Sequence, residues 1–228
     1  VPNGPLSLPA RLYLLAWDTT KGRITGSTHL HHLVRAGALT ELAQRGLLVD
    51  DEGIVTPVDP DSRTGDVVLD GLLELVSESR PRRWKTWVTS RARFTLDAVR
   101  AQLAADGYLR AERKRVLGIF PSVEYELDRV AAVEDLRARA REVLEGPVPV
   151  AEVGDRDAAL VALATAAELR TFASARERRE HRARIDELAE RGGAAAPALR
   201  TVLQDVRAAV VVAATTASAT AATTSTPS

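Results

Sequence analysis

Apolar positions recur at helical spacing through most of this chain, and two helix ends share one local pattern. Leu8, Leu12, Leu15 and Ala16 form a stripe predicting a first helix that ends near Asp18. Residues 19–23 read as a turn. Ser27 or Thr28 is placed to cap a second helix running to Arg45, with Leu30, Leu33, Val34, Leu39 and Leu42 inward. Gly46 supplies a left-handed stop, and residues 47–49 and 54–58 predict a β-hairpin behind it. The same design returns downstream. Gln102-Leu103-Ala104-Ala105-Asp106 ends a helix, Gly107 stops it, and a longer hairpin pattern runs to about Leu127.

Between the two copies, residues 59–66 form a loop into a helix from Val67 to about Glu78. The basic stretch after Pro81, with Trp84 and Trp87, is expected to be helical, and Thr95 is placed to cap the next helix. Tryptophans at this spacing among arginines suit either an interface or the core. Further helices are expected from Val130 to Leu144, from Asp155 to about Ala173, through 176–191, and from Pro197 to about Ala214. Residues 176–191 carry pairs such as Glu180 and Arg184 at i,i+4, which read as a solvated face. The fold class is therefore mainly α: one helical domain over 6–214 with two small β-hairpins. Residues 1–5 read as a flexible arm, and 215–228 as a disordered Ala/Thr/Ser tail.

Composition supports that class. Aromatics are only 4% of the chain and hydrophobic residues 45%, so the core must be built of Leu, Val and Ala. The absence of cysteine excludes disulfides and thiolate metal sites. Only three lysines stand against 28 arginines, which points to a high-GC bacterial genome. No signal peptide or membrane-spanning stretch is read, so membrane contact is expected to be peripheral. Net charge is zero, yet residues 82–115 hold ten Lys/Arg against three acids. Such asymmetry predicts a sided surface that meets an anionic partner.

Catalytic chemistry has no support in the pattern: there is no phosphate loop, nucleophile elbow or zinc-protease helix, and no cofactor is expected. His29, His31 and His32 lack a third ligand at sensible spacing, and read better as a polar cap region than as a metal site. Asp59, Asp61, Asp66 and Asp70 fail the calcium-loop pattern, because Arg63 and Thr64 fill its fifth and sixth places. Asp66 reads instead as a helix cap. Arg91 and Arg93, ahead of a helix start, are a candidate phosphate site, since free N–H donors and forked guanidinium donors would converge there. Arg35 interrupts an apolar run and is a second candidate; the alternatives are a pair with Glu41 or a reach to solvent. At the second hairpin, Val116, Leu117, Ile119 and Phe120 read as core, subunit interface or membrane wedge. The basic residues beside them, Arg110, Arg113, Lys114 and Arg115, each add only about 1 kcal/mol on an anionic leaflet.

Three segments in this order, 39–48, 63–70 (Arg-Thr-Gly-Asp-Val-Val-Leu-Asp) and 103–109 with its hairpin, resemble the Golgi phosphoprotein 3 family. The likeness covers residues 6–214. It implies a helical domain that binds phosphatidylinositol 4-phosphate peripherally, with no catalytic activity. The family's headgroup arginines fall on Arg35, on Arg93 and on Leu96. Leu96 departs from the pattern, with Arg91 or Arg100 as substitutes. The family tryptophan falls near Gly26 or Ser27, where this chain has none. The resemblance also implies that the second hairpin meets membrane or a second subunit.

The expected function is thus a lipid-headgroup binder on the cytoplasmic face of a membrane, with Arg35, Arg93 and Arg91 in the pocket. Its partners would be an anionic phospholipid and a second copy through the hairpin, with no nucleic acid. The alternative is a winged-helix-like nucleic-acid binder, which the helix–glycine–hairpin pattern also permits.

Overall fold

The computed structural model describes residues 5–25, 29–116 and 120–193. The elements in chain order are α1 (Leu8–Leu15), β1 (Trp17–Asp18), β2 (Arg23–Ile24), α2 (Leu30–Gln44), β3 (Leu48–Asp51), β4 (Ile54–Pro57) and α3 (Val67–Ser77). They continue with β5 (Arg82–Arg83), α4 (Trp84–Thr89), α5 (Ala92–Ala105), β6 (Leu109–Val116), β7 (Phe120–Leu127), α6 (Val130–Glu145), α7 (Asp155–Ala166), α8 (Ala175–Glu180) and α9 (Arg182–Gly192). The protein is mainly α with small antiparallel hairpins, as the apolar spacing predicts.

Helix α2 lies in the middle, packed against α1, α3, α4, α5 and α7. Every residue from Leu33 to Ala43 is buried, so α2 has no solvent face. Helix α7 is buried likewise from Ala158 to Ala166. Both helices are rich in Ala, Leu and Val, whose side chains suit close packing on all sides. Helix α9 meets α7 with backbone in contact. A Cβ on Gly192 would stand 2.7 Å from the Ala159 nitrogen.

The two copies of the helix–glycine pattern end in one geometry. At α2, the N–H of Gly46 donates to the Ala43 carbonyl and that of Leu47 to the Leu42 carbonyl. At α5, the Gly107 and Tyr108 N–H groups donate to Ala104 and Leu103 in the same way. Both glycines have positive φ, 70° and 72°, which only a residue without a Cβ adopts freely. The first hairpin pairs Leu48 with Pro57 and gains a third strand, because β5 adds to β4. The second hairpin pairs Leu109 with Leu127 and Val116 with Phe120.

Several boundaries differ from the sequence reading. Helix α5 starts at Ala92 with Arg91 as its N-cap, so Thr95 is a buried helical residue rather than a cap. Residues 82–83 after Pro81 are strand, and the helix there is short. Trp84 and Trp87 are both core; the Trp84 ring N–H donates to Asp50 at 2.8 Å. Residues 19–23 turn within a small additional hairpin, β1 to β2. Helix α7 stops at Ala166 rather than at Ala173, because Glu168 takes the left-handed place that Gly46 and Gly107 take elsewhere. The 176–191 stretch is two helices meeting at His181. There Arg184 donates to the carbonyls of Val143 and Val148 rather than pairing with Glu180, which pairs with Arg176. Ser27, Thr28, the helix after Pro197 and the terminal tail lie outside the described residues.

Candidate functional site

A helix buried all round leaves a long cationic side chain no route to water. Arg35 on α2 is 1% exposed. Its Nη2 donates to the carbonyl oxygen of Arg91 at 2.8 Å, while Nε and Nη1 are buried with no partner. Burial lowers its pKa to about 10, which still leaves it charged at neutral pH. Neither alternative from the sequence is realised. Glu41 is occupied by the Leu8 N–H, Arg45 and Arg156, at 2.6, 2.6 and 2.7 Å. Among the described residues Arg35 is thus a buried cation without an anion, an arrangement that is costly unless a counter-charge arrives.

Arg91, the residue it holds, has a left-handed backbone with φ 52°. That turn sends the chain from α4 into α5, and the Arg91 carbonyl also accepts the Phe94 N–H. No side chain caps α5, and its first turn carries no acid. Of the first-turn amides that of Phe94 is taken by the Arg91 carbonyl, which leaves those of Ala92 and Arg93 and the positive end of the helix to an anion. Beside them lies a cavity of about 380 Å³ bounded by His31, Thr89, Arg91, Arg93, Phe94 and Asp97.

The structure brings Arg35, Arg91 and Arg93 to one place. Arg91 and Arg93 line the cavity; Arg35 lies behind its wall, one hydrogen bond from Arg91. Arg93 sits inside the first turn of α5, since the helix begins earlier than Thr95. His31 and Phe94 belong to the site, and sequence reasoning missed both. His31 stands one helical turn before Arg35. Burial lowers its pKa, and the charge of Arg93 adds to the effect. Leu96 is buried in the core and cannot serve the cavity. Arg100 does not replace it: it pairs with Asp97 at 3.4 Å and lies over the rings of Tyr13 and Tyr125.

Leu117 and Ile119 lie outside the described residues, and for Val116 and Phe120 only the backbone pairing is described. At the hairpin base Arg110 is held by Glu126 at 2.6 Å, which reduces its availability to an outside anion.

A larger cavity of about 690 Å³ lies between the β1–β2 hairpin, α6 and the segment after α7. It is the weaker candidate despite its size: of its three cations Lys21 and Arg137 already pair with Asp18 and Glu134, and Asp18 and Glu168 put two acids on the same wall as Arg170. Among the described residues no group of three His, Cys, Asp or Glu is placed to hold a metal ion. Asp66 and Asp70 instead hold the start of α3: Asp66 accepts from the N–H groups of Val68 and Leu69, and Asp70 from those of Thr64 and Gly65. The nucleic-acid alternative gains little from α5, which buries Leu96, Val99 and Leu103 and beyond its first turn leaves Asp97 and Ala101 outward, neither of which reads base edges by a cationic contact. No helix among the described residues is long and apolar enough to cross a membrane.

A protein-family model described as Golgi phosphoprotein 3 (GPP34) matches residues 8–206, nearly the whole chain. A search of curated proteins finds no match.

Proposed function

Since the chain belongs to the Golgi phosphoprotein 3 family, we propose that it is a non-enzymatic protein that binds the phosphorylated headgroup of an anionic lipid. The lipid implied by the family resemblance is phosphatidylinositol 4-phosphate. The protein would sit peripherally on the cytoplasmic face of a membrane. The headgroup enters the cavity at the start of α5, meeting Arg91, Arg93 and the first-turn amides. One observation supports this reading: Arg35 is a buried cation with two nitrogens unpartnered among the described residues, one hydrogen bond from Arg91, which lines the cavity together with Arg93.

Charge arithmetic favours the cavity over the hairpin as the source of affinity. Surface cations on an anionic leaflet contribute about 1 kcal/mol each and are screened by salt. Arg110 is already paired, so the hairpin offers three such cations at most. A cavity with a helix N-terminus and a desolvated arginine gives stronger, charge-assisted hydrogen bonds to phosphate. The hairpin then adds contact with lipid or with a second copy.

Vesicle flotation tests this. The protein should float with phosphatidylcholine vesicles containing phosphatidylinositol 4-phosphate, and not with phosphatidylcholine alone. Arg35→Ala combined with Arg93→Ala should remove most of the floated fraction. Failure of the parent protein to float with either vesicle contradicts the proposal.

A further inference from the structure

A phosphate-binding cavity serves a soluble metabolite as well as a lipid, and the residue at its rim separates the two. Phe94 lines the cavity beside Arg93 and is 71% exposed. It is the one aromatic among the exposed large hydrophobics of the described residues; the others are valines. It lies in the first turn of α5, on the side opposite the buried Ala92, Thr95 and Leu96, and among the described residues most of the ring is left uncovered. Arg91 and Arg93 flank it on the same turn, both exposed and neither in an ion pair among the described residues.

We propose that Phe94 is a membrane anchor, inserting into the bilayer beside the headgroup that the cavity holds. The inference rests on the proposed headgroup site and specifies its ligand as a lipid in place, not a free phosphate ester. The charge pattern fits one occupant. Two cations beside a projecting aromatic ring match an anionic headgroup layer with acyl chains beneath it. A soluble phosphate ester would use the cations and leave the ring in water. The geometry also fixes orientation, because headgroup and ring contacts arise from one helical turn. The start of α5 therefore faces the bilayer.

The test compares two probes on one variant. Binding is measured to inositol 1,4-bisphosphate in solution and to phosphatidylcholine vesicles containing phosphatidylinositol 4-phosphate. Removing a Phe that is buried in lipid should weaken vesicle binding by about tenfold or more. Phe94→Ser should show that loss on vesicles and lose less, by about tenfold or more, on the soluble headgroup, which touches the ring only at the cavity rim. Phe94→Leu should recover most of the vesicle affinity. The chain has no cysteine, so Phe94→Cys also carries a single environment-sensitive fluorophore. Its emission should shift to the blue on vesicles and stay unchanged with the soluble headgroup. Parent-like vesicle binding by Phe94→Ser overturns this inference alone, as does an equal loss with both probes. Failure of the parent to bind vesicles overturns the headgroup reading together with it.

Discussion

The guanidinium of Arg35 donates to the backbone carbonyl of Arg91 at 2.8 Å, joining the central helix α2 to the left-handed residue that starts α5. That one bond leaves two other nitrogens of Arg35 buried and unpartnered. A residue kept for stability alone would not be arranged so. Replacing buried charge with an apolar side chain of similar length is often neutral or stabilising. Arg35→Met should therefore leave the unfolding free energy unchanged or raise it by about 1–2 kcal/mol in phosphate-free buffer. Phosphate should stabilise the parent and not the variant. Urea denaturation checks both halves. A loss of stability in the variant would make Arg35 a structural residue.

Glu41, two turns along the same helix, is the opposite case. It is fully buried, but three donors meet its carboxylate. Glu41→Ala orphans the Leu8 N–H and leaves Arg156 without its acid. Breaking such a network should destabilise the protein by about 3–5 kcal/mol. The same denaturation series measures it. A loss much smaller than this would mean that α1 and α7 are held to α2 by apolar packing alone.

Acid should weaken the fold before the carboxylates titrate. His32 has a buried Nδ1 without a partner, and its ring lies 4.0 Å from that of His31. Burial, helped by the charges of His31 and His29, lowers its pKa from 6.5 to about 4. The unfolded chain thus binds a proton that the folded chain refuses between those values. The stabilisation is complete above pH 6.5, declines as pH falls, and is exhausted below about 4. His31, also lowered by burial, acts in the same direction. Glu177, held at about 2 chiefly by the Ser174 hydroxyl and amide, titrates lower. The parent should lose stability between about pH 7.5 and about pH 5.5, and His32→Gln should lose less. Equal losses would remove His32 from the account.

Glu168 occupies a left-handed position with φ 53° at the end of α7. Its N–H donates to the Thr165 carbonyl and that of Leu169 to the Ala164 carbonyl, the pattern found at Gly46 and Gly107. A Cβ is strained there, and the ion pair to Arg178 is long, at 3.6 Å, and exposed on the glutamate side. Glu168→Gly should stabilise the protein by about 0.5–1 kcal/mol. Thermal unfolding checks the sign, and a lower melting temperature would count against it.

That helix end also shows where the sequence was legible. Gly46 and Gly107 announce their stops, and the structure ends α2 and α5 beside them. Glu168 makes the same stop without a glycine, so periodicity carried α7 on to Ala173. Helix α5 began early for a related reason: Arg91 caps it by backbone geometry, with no Ser, Thr, Asp or Asn to mark the place. Within the site, Arg35 was legible because it breaks an apolar run. Phe94 was not, because a phenylalanine in an amphipathic helix is ordinarily core. Only the three-dimensional start of α5 turns it outward. His31 stands one turn before Arg35, but beside His29 and His32 near a helix start it reads as part of a polar cap region rather than of a binding site.

The most direct measurement is a crystal structure grown or soaked with phosphate. The expected result is one anion at the N-terminus of α5, on the Arg35 side of the cavity and held by Arg93, Arg91 and the first-turn amides. An empty cavity, with phosphate bound only elsewhere on the surface, would contradict the account.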